Sequence, residues 1–531
     1  MKRLEASDAA LSPSGARIRM LLLALWAIST PVLCVLYMLV PVSPDQALFD
    51  YISWMHIHGD IYYAGAAEQN FPGKMFLHEL GIRLFGVHFW TFRLIDFVLL
   101  QAWMFGGFTL LRRAGFMLAP YALLCVYPAL YVGAGPWMVG QRDIVAAGIL
   151  LWAAAWAIPS AKRPRQETSD MLLAGAAVGY AVLIRPTYLS FLAGLMLLEW
   201  FPFRTLHTRS LSAGLRTVLL PLGFMIPIGI VVLLGLWAGN IDDWYVQSIL
   251  FNVQAYPVKV GLDVLLYEIK LATTSDWHWP TLLSIVGFSL WIYRDGLKKE
   301  IVILFGLLAT FLVSYFVQRK GFGYHLGGLL PVLAIMAVAS AELLYRFSAE
   351  HTGRRKQVWA GLTAAAIALM VAGSVKKISR LRYHAQLIAQ GEFLPTYDAD
   401  DRLTYPELDE VVQTIRAGSE PDDYILQWGR HFEIGFLAQR KSTLRFISTP
   451  ALDILHDGFD HTDAWLEEVR TSLETKTPKF VIIENDVLAN DTLPFEAYPV
   501  ASVALRMVFE HISTGYRVVK RYRHLTLLQQ L

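Results

Sequence analysis

The sequence has few charged residues and almost no cysteine. Only 17% of its 531 residues are charged, whereas 55% are hydrophobic and 13% aromatic, and the mean hydropathy is +0.42. Because about a quarter of the residues in a soluble domain are charged, this composition excludes a soluble protein and indicates an integral membrane protein. The two cysteines, Cys34 and Cys125, lie in apolar runs. They therefore exclude a framework of disulfides or of cysteine-bound metal.

The charges that are present balance each other. The chain has 46 Lys and Arg residues against 44 Asp and Glu residues, for a formal charge of +2. A balanced chain of this kind argues against nucleic acid as the main partner. The sequence also shows no internal repeat, low-complexity segment or flexible linker.

Long apolar runs, separated by clusters of Lys and Arg, predict about eleven membrane-spanning helices. The runs cover residues 20–40, 91–111, 116–132, 144–158, 171–184, 188–201, 215–238, 281–293, 301–317, 326–345 and 358–375. The stretch 171–201 is divided at "IRPT" because basic loops flank it on both sides. With the basic loops in the cytoplasm, the N-terminus is cytoplasmic, and an odd number of spans places the C-terminal part outside.

The C-terminal part has a different pattern. Short β-rich runs ("DYILQWG", "STLRFIS", "PKFVIIEN") alternate there with helix-like runs ("PELDEVVQTIRAG", "DAWLEEVRTSLET"). We therefore predict a multi-pass membrane domain over residues 1–375 and a small soluble α/β domain over residues 376–531, in the periplasm.

One loop on the predicted outer side is basic, although Lys and Arg are usually concentrated in the cytoplasmic loops of membrane proteins. The segment "VQRKGFGYH" carries Arg319, Lys320 and His325. One interpretation is an anchor of long side chains at a helix end. The other is an anion site, in which the basic residues hold a phosphate and the glycines let the backbone approach it. Arg142 and Arg185 are further candidates for the same anion.

The segment after the first apolar run, "PVSPDQALFDYISWMHIHGD", has an unusual number of acidic residues. Ser43 is suited to cap a helix and Pro44 to begin it, which puts Asp45 in the first turn, where the helix dipole favours an ionised carboxylate. Apolar residues at helical spacing from Leu48 to Met55 predict an amphipathic helix on the membrane surface. Asp50 lies on another face and is predicted to be a solvated or capping residue. The two histidines have no acidic partners at a metal-binding spacing.

This region resembles the first outer loop of bacterial GT-C glycosyltransferases that use polyprenyl-phosphate sugars, a group related to the protein O-mannosyltransferases and the aminoarabinose transferase of lipid A. The resemblance is carried by Asp45, the "G-x-x-Y" step from Gly59 to Tyr62, the segment "QNFPG" and Arg93.

Other segments support the resemblance, although two positions depart from it. Gln46 replaces an acidic residue, and Phe71 replaces the first proline of a Pro-Pro pair. The segment "GQRD" is similar to "GQRE" of some members, with Asp143 as the second outer-loop carboxylate, and "QRKGFGYH" resembles their late outer loop. In the tail, "ILQWGRHFEIGFLAQRKSTLRF" is similar to the pattern "WG-x-x-x-x-x-Y-x-x-x-x-R-x-x-x-x-R".

The resemblance implies a GT-C fold and an inverting transfer of a sugar from polyprenyl phosphate to an envelope glycan, lipid or protein, at the outer face of the bacterial inner membrane. Such a reaction needs a carboxylate that takes the acceptor proton and cations that stabilise the departing phosphate. The candidate catalytic carboxylates are Asp45 and Asp143. The candidate ligands of the donor phosphate are Arg142, Arg185, Arg319, Lys320 and His325.

Aromatic residues on the outer side are candidates to stack on sugar faces, namely Trp54, Tyr62 and Trp137. The alternative interpretation is a belt of aromatic residues at the membrane interface. No cofactor is certain, because no set of metal ligands is visible in the sequence. A requirement for a divalent cation stays open, because the related enzymes differ in metal dependence.

Two other functions fit a membrane protein of this kind. A transporter or flippase of lipid-linked saccharides predicts polar residues in mid-span and repeat symmetry, whereas the polar residues here lie at the outer ends. A non-catalytic envelope-glycan assembly protein needs no particular carboxylate, so substitution of Asp45 separates it from an enzyme.

Overall fold

The computed structural model describes residues 13–159, 166–201, 211–255, 259–390, 403–448, 452, 455, 458–485, 501–513 and 515–531. The basic segments around Lys162 and Arg204 and the N-terminal residues 1–12 lie outside this part of the chain. Each of the eleven predicted apolar runs falls on a helix, and the predicted helical, multi-pass fold class is confirmed.

Within the described residues, seven helices are long and apolar enough to cross a membrane. They are Gly15–Met38, Thr91–Arg113, Glu167–Ile184, Ala213–Ala238, Lys299–Gln318, Gly323–Glu350 and Gly353–Ala389. The remaining four predicted runs form helices that are not among these seven, namely Ala119–Val132, Arg142–Ala157, Leu189–Trp200 and His278–Asp295. The stretch 171–201 is interrupted by a short 3-10 turn, Pro186–Tyr188, as predicted. Pro186 ends the preceding helix because it has no N–H to donate and disfavours a helical residue before it.

Shorter helices lie in the connecting segments and the C-terminal part. In the connections they are Pro44–Ile57, Gly73–Phe85, Ile241–Tyr245, Val246–Leu250, Phe251–Gln254, Leu262–Leu271 and Ala272–Asp276. Gly323–Gly328 and Leu381–Ala389 are end segments of two of the long stretches named above. In the C-terminal part they are Tyr405–Ala417, Phe432–Ala438, Thr462–Thr475 and Ala501–Ser513.

The chain forms two compact units. The first, which we call the helical unit, comprises Met1–Leu39, Asp96–Ile228 and Lys259–Arg382. The second, the mixed unit, comprises Val40–Ile95, Gly229–Val258 and Tyr383–Leu531. The mixed unit therefore combines the C-terminal part with two segments that lie mostly between predicted membrane spans. The division at residue 375 into membrane and soluble domains stays a prediction.

The mixed unit contains a five-stranded sheet with strand order β2-β1-β3-β5-β4. The strands are β1 Tyr424–Trp428, β2 Lys441–Ser442, β3 Phe480–Glu484, β4 Tyr516–Arg521 and β5 Leu525–Gln530. β1 pairs in parallel with β2 and β3, whereas β5 pairs antiparallel with β3 and β4. Of the predicted β-rich runs, "STLRFIS" contributes only its first residue to a strand.

Both faces of this sheet are covered, because alternate residues of a strand point to opposite sides. Ile425 and Ile482 belong to a core formed with the helix Tyr405–Ala417. Leu426, Trp428, Val481 and Ile483 belong to a separate core on the other face, formed with the helices Thr462–Thr475 and Ala501–Ser513. The arrangement confirms the predicted α/β character of the tail.

Candidate active site

Asp45 lies where the sequence predicts, in the first turn of the helix Pro44–Ile57. Ser43 is its N-cap, and the Ser43 backbone N–H donates to Gln46 Oε1 at 3.3 Å. Gln46, which departs from the family pattern, thus completes a capping box that fixes the start of the helix. The Asp45 side chain is half-buried, and the helix dipole at this end favours its ionised form.

Arg93 anchors the chain immediately before this helix. Its side chain is buried, with Nε donating to the carbonyl oxygen of Val40 at 3.1 Å and Nη2 donating to that of Pro41. A guanidinium that binds two successive carbonyls restrains the backbone leading to Asp45. Arg93 is therefore a positioning residue within the mixed unit.

The rest of the helix differs from the sequence prediction. Its residues from Pro44 to Met55, apart from Asp45, are buried on every face rather than along one stripe. Asp50 is 2% exposed and its Oδ1 lies 2.8 Å from His78 Nδ1, so its prediction as a solvated or capping residue is wrong. Because the two partners are 28 residues apart in the sequence, no local pattern indicates that they pair.

Burial dominates the protonation of this pair. Burial raises the pKa of the Asp50 carboxyl well above its usual value, although the charges of Lys74 and Arg93 act in the opposite direction. Burial, followed by the same two cations, lowers the pKa of His78. The His78 ring also stacks on the Phe92 ring, with 3.8 Å between ring centres. Lys74 Nζ lies 3.9 Å from the centre of the Phe92 ring. A neutral imidazole is consistent with its position beside two cations.

The three aromatic candidates lie in different environments. Trp54 and Tyr62 are buried, and protein rings occupy their faces: His58 lies 4.4 Å from Trp54, and His56 lies 3.9 Å from Tyr62. Trp137 is partly exposed and stacks on Tyr324 at 5.7 Å. Among these three, only Trp137 presents a ring that a sugar reaches without rearrangement of a core.

In the helical unit, Asp143 and Arg185 form a buried ion pair. Arg185 Nε donates to Asp143 Oδ1 at 3.0 Å, and Arg185 Nη2 donates to Oδ2. Tyr188 donates its hydroxyl to the same carboxylate at 2.6 Å. Because three donors occupy its two oxygens, Asp143 is suited to hold Arg185 in one orientation rather than to take a proton from a substrate.

Further basic side chains come together with Arg185. The positive charges of Arg185, Arg142 and Lys320 all act on His325, which is 3% exposed. Neither ring nitrogen of His325 has a hydrogen-bond partner among the described residues. We call Arg142, Arg185, Lys320 and His325 the basic cluster. A buried imidazole that has no hydrogen-bond partner in the described part of the chain, and on which three positive charges act, is suited to receive an anionic ligand.

Arg319 has a different environment from Lys320, its neighbour in sequence. It ends the helix Lys299–Gln318 in a left-handed conformation with φ 51° and is exposed. Its Nε and Nη2 donate to the carbonyl oxygen of Val260 at 3.3 and 3.2 Å.

The two glycines of this loop adjoin protein side chains rather than open space. A Cβ at Gly321 would lie 3.0 Å from Val260, and one at Gly323 would lie 2.7 Å from Glu268 Oε2. The glycines therefore allow the loop to pack on residues 260–268, which is a different use from the predicted approach of backbone to phosphate.

The tail segment that resembles the family pattern serves packing in the mixed unit. Arg445 Nη1 donates to Asp243 at 2.8 Å and to the Tyr63 carbonyl at 3.0 Å. Gly435 stands where the pattern has tyrosine, and a Cβ there would lie 2.5 Å from Cζ of Tyr51. A ring from another segment thus fills this place, and Tyr51 donates its hydroxyl to the Arg440 carbonyl at 2.6 Å.

Within the part of the chain that the structure describes, no group of three or more His, Cys, Asp or Glu side chains is arranged to hold a metal ion. No family model matches the sequence, and no curated protein matches it significantly.

The fold itself has relatives among solved structures, and it defines the chain as a multi-pass membrane protein with the GT-C fold. ArnT from Cupriavidus metallidurans in the apo state matches with a TM-score of 0.59 and 13% identity, over 96% of this chain and 98% of ArnT. ArnT from the same organism, bound to undecaprenyl phosphate, matches with a TM-score of 0.60 and 13% identity, over 98% and 99% of the two chains. At this identity the likeness concerns the fold.

Proposed function

We propose that this protein is an inverting glycosyltransferase that moves a sugar from a polyprenyl-phosphate donor to an envelope glycan, lipid or protein at the outer face of the inner membrane. The observation that carries the proposal is the basic cluster, in which a buried histidine has no hydrogen-bond partner among the described residues and the charges of three cations act on it. A similar fold binds undecaprenyl phosphate in ArnT, which supports a lipid phosphate as the anion.

The reaction assigns a separate task to each group. The acceptor hydroxyl oxygen forms a bond to the anomeric carbon, and the bond from that carbon to the phosphate oxygen breaks. Asp45 takes the acceptor proton as general base. The basic cluster stabilises the negative charge that grows on the departing polyprenyl phosphate, and Asp143 keeps Arg185 oriented for this task. Trp137 is the aromatic candidate for contact with the sugar.

Mass spectrometry of a deletion strain tests the function directly. We expect one envelope glycan, lipid or protein to lack a sugar and the matching lipid-linked sugar to accumulate, with both effects reversed by the wild-type gene but not by Asp45→Asn. Restoration by Asp45→Asn would favour a non-catalytic assembly role. Unchanged glycans and lipid-linked sugars would contradict the proposal.

The basic loop allows a sharper test, because two adjacent residues have different surroundings. We expect Lys320→Gln to weaken use of the lipid donor by roughly tenfold, the effect of losing one charged hydrogen bond. Arg319→Gln should change it less than about threefold, since its guanidinium binds the Val260 carbonyl. Donor KM measured on the purified variants decides this. Equal effects of the two substitutions would mean that the loop acts only through its overall charge.

The topology part of the proposal places the C-terminus in the periplasm. A reporter fused after Leu531 should therefore be active only when exported, as a periplasmic phosphatase is, and a fusion after residue 297 should behave as cytoplasmic. These expectations follow from the distribution of basic residues. A cytoplasmic response of the C-terminal fusion would mean that the number of spans is even.

A further inference from the structure

A recess in the helical unit takes no part in the proposed sugar transfer. It has a cavity volume of about 150 Å³ and lies between residues 275–279 and the C-terminal end of the helix Gly353–Ser379. Three basic side chains, Lys376, Lys377 and Arg380, line it, together with one carboxylate, Asp276. Positive charge is therefore in excess.

Ion pairs hold these cations in place. Asp276 Oδ1 lies 3.7 Å from Lys377 Nζ and 3.2 Å from each terminal nitrogen of Arg380. Because both cations share one carboxylate oxygen, their charge is only partly compensated. Lys377 is buried, and Lys376 and Arg380 are exposed, so the recess has a basic wall and a basic rim.

A buried donor also lines the recess. Trp279 is 1% exposed, and its indole N–H has no hydrogen-bond partner within the described residues. The indole packs against Gly373, where any Cβ would collide with its nitrogen. A buried N–H without an acceptor is unfavourable, and an oxygen of an anion bound in the recess would satisfy it.

The helix that forms one side of the recess is suited to contact lipid. Its apolar residues Val358, Val371 and Val375 are more than half exposed, and it belongs to a segment long and apolar enough to cross a membrane. Basic residues at the end of such a helix lie at the depth of lipid head groups. Leu369 and Ala372, which also line the recess, continue its surface along the helix as an acyl chain requires.

We propose that this recess binds the phosphate of an anionic lipid head group. Lys376, Lys377 and Arg380 pair with the phosphate, and the Trp279 indole donates a hydrogen bond to one of its oxygens. The recess shares no lining residue with the basic cluster, and lipid binding tests it without sugar transfer.

The test is native mass spectrometry of the full-length protein with phosphatidylglycerol or phosphatidylcholine added. We expect Lys376→Gln with Arg380→Gln to weaken phosphatidylglycerol binding roughly 10- to 30-fold, as the loss of two cations at a membrane surface predicts. Both residues are exposed, so the fold should be retained. Trp279→Phe should weaken binding roughly 3- to 10-fold through loss of the donor.

The matched control is Arg354→Gln with Arg355→Gln, two exposed cations at the other end of the same helix. It should leave phosphatidylglycerol binding within about twofold of wild type, because neither residue lines the recess. The loss of even one charged contact would have a larger effect. Equal loss in the control, or equal binding of phosphatidylcholine, would overturn the proposal in favour of general charge attraction. Displacement of the lipid by millimolar inorganic phosphate would overturn it in favour of a site for soluble phosphate.

Discussion

Purified Asp45→Asn protein is expected to bind the lipid donor normally and to transfer sugar roughly 10²- to 10⁴-fold more slowly than wild type, the range typical of losing a general base. Asn keeps the shape of the side chain, and the cap of this helix is made by Ser43 and Gln46, so the local structure should persist. The loss should appear in kcat, because the amide cannot take the acceptor proton as the hydroxyl becomes acidic in the transition state. Single-turnover transfer with a saturating donor measures it.

The control for this variant is Asp242→Asn, an exposed residue of the same unit that makes no ion pair within the described part of the chain. It should leave kcat unchanged. Asp50→Asn is unsuitable as a neutral control, because Asp50 is buried against His78 and its substitution is expected to reduce stability. Near-normal turnover by folded Asp45→Asn protein would remove Asp45 from the mechanism.

The placement of Asp45 was predictable because local rules determine it. A cap, a proline and an acidic residue in the first turn follow the end of an apolar run, and each rule concerns adjacent residues. The burial of the same helix was not predictable from its periodicity. Its hydrophobic residues share one core with Phe432, Phe436 and Ile447 of the distant tail, and a period of 3.6 residues does not reveal a second partner.

The basic cluster was only partly predictable. Charge alternation puts Arg142, Arg185 and the loop at Lys320 on the same side of the membrane, and these residues do come together with His325. Alternation says nothing about pairing, and so it did not reveal that Asp143 binds Arg185 or that Arg319 binds a carbonyl instead of facing the cluster.

A further buried network was also outside the reach of sequence patterns. Arg216 and Lys299 both donate to Glu199, with Nε–Oε2 and Nζ–Oε1 distances of 2.7 and 2.6 Å. In sequence Lys299 belongs to a basic cluster that marks a cytoplasmic end of a span, and Arg216 lies at the start of the apolar run 215–238. Their partner, Glu199, lies within an apolar run, and a single glutamate in such a run does not indicate which helix it contacts.

The ion pair between Asp143 and Arg185 leads to the second large effect. We expect Asp143→Asn to lower thermal stability substantially, because removal of one member of a buried pair is unfavourable by about 3–5 kcal/mol. We also expect it to raise donor KM by roughly 10- to 100-fold, since a misoriented Arg185 loses a charged hydrogen bond to the phosphate. Thermal melting and donor titration of the detergent-purified protein measure the two effects.

The control is Asp170→Asn, which breaks another ion pair of the helical unit, at 2.9 Å from Arg113. It should lower stability without changing donor KM. A double variant of Asp143→Asn with Arg185→Gln should then cost less than the two single variants together, by about 0.5–3 kcal/mol, because the second substitution removes the unpaired charge left by the first. If Asp143 is instead the general base, Asp143→Asn lowers kcat by roughly 10²- to 10⁴-fold at an unchanged donor KM. The division of the loss between kcat and KM therefore decides which carboxylate accepts the proton and which one orients the cation.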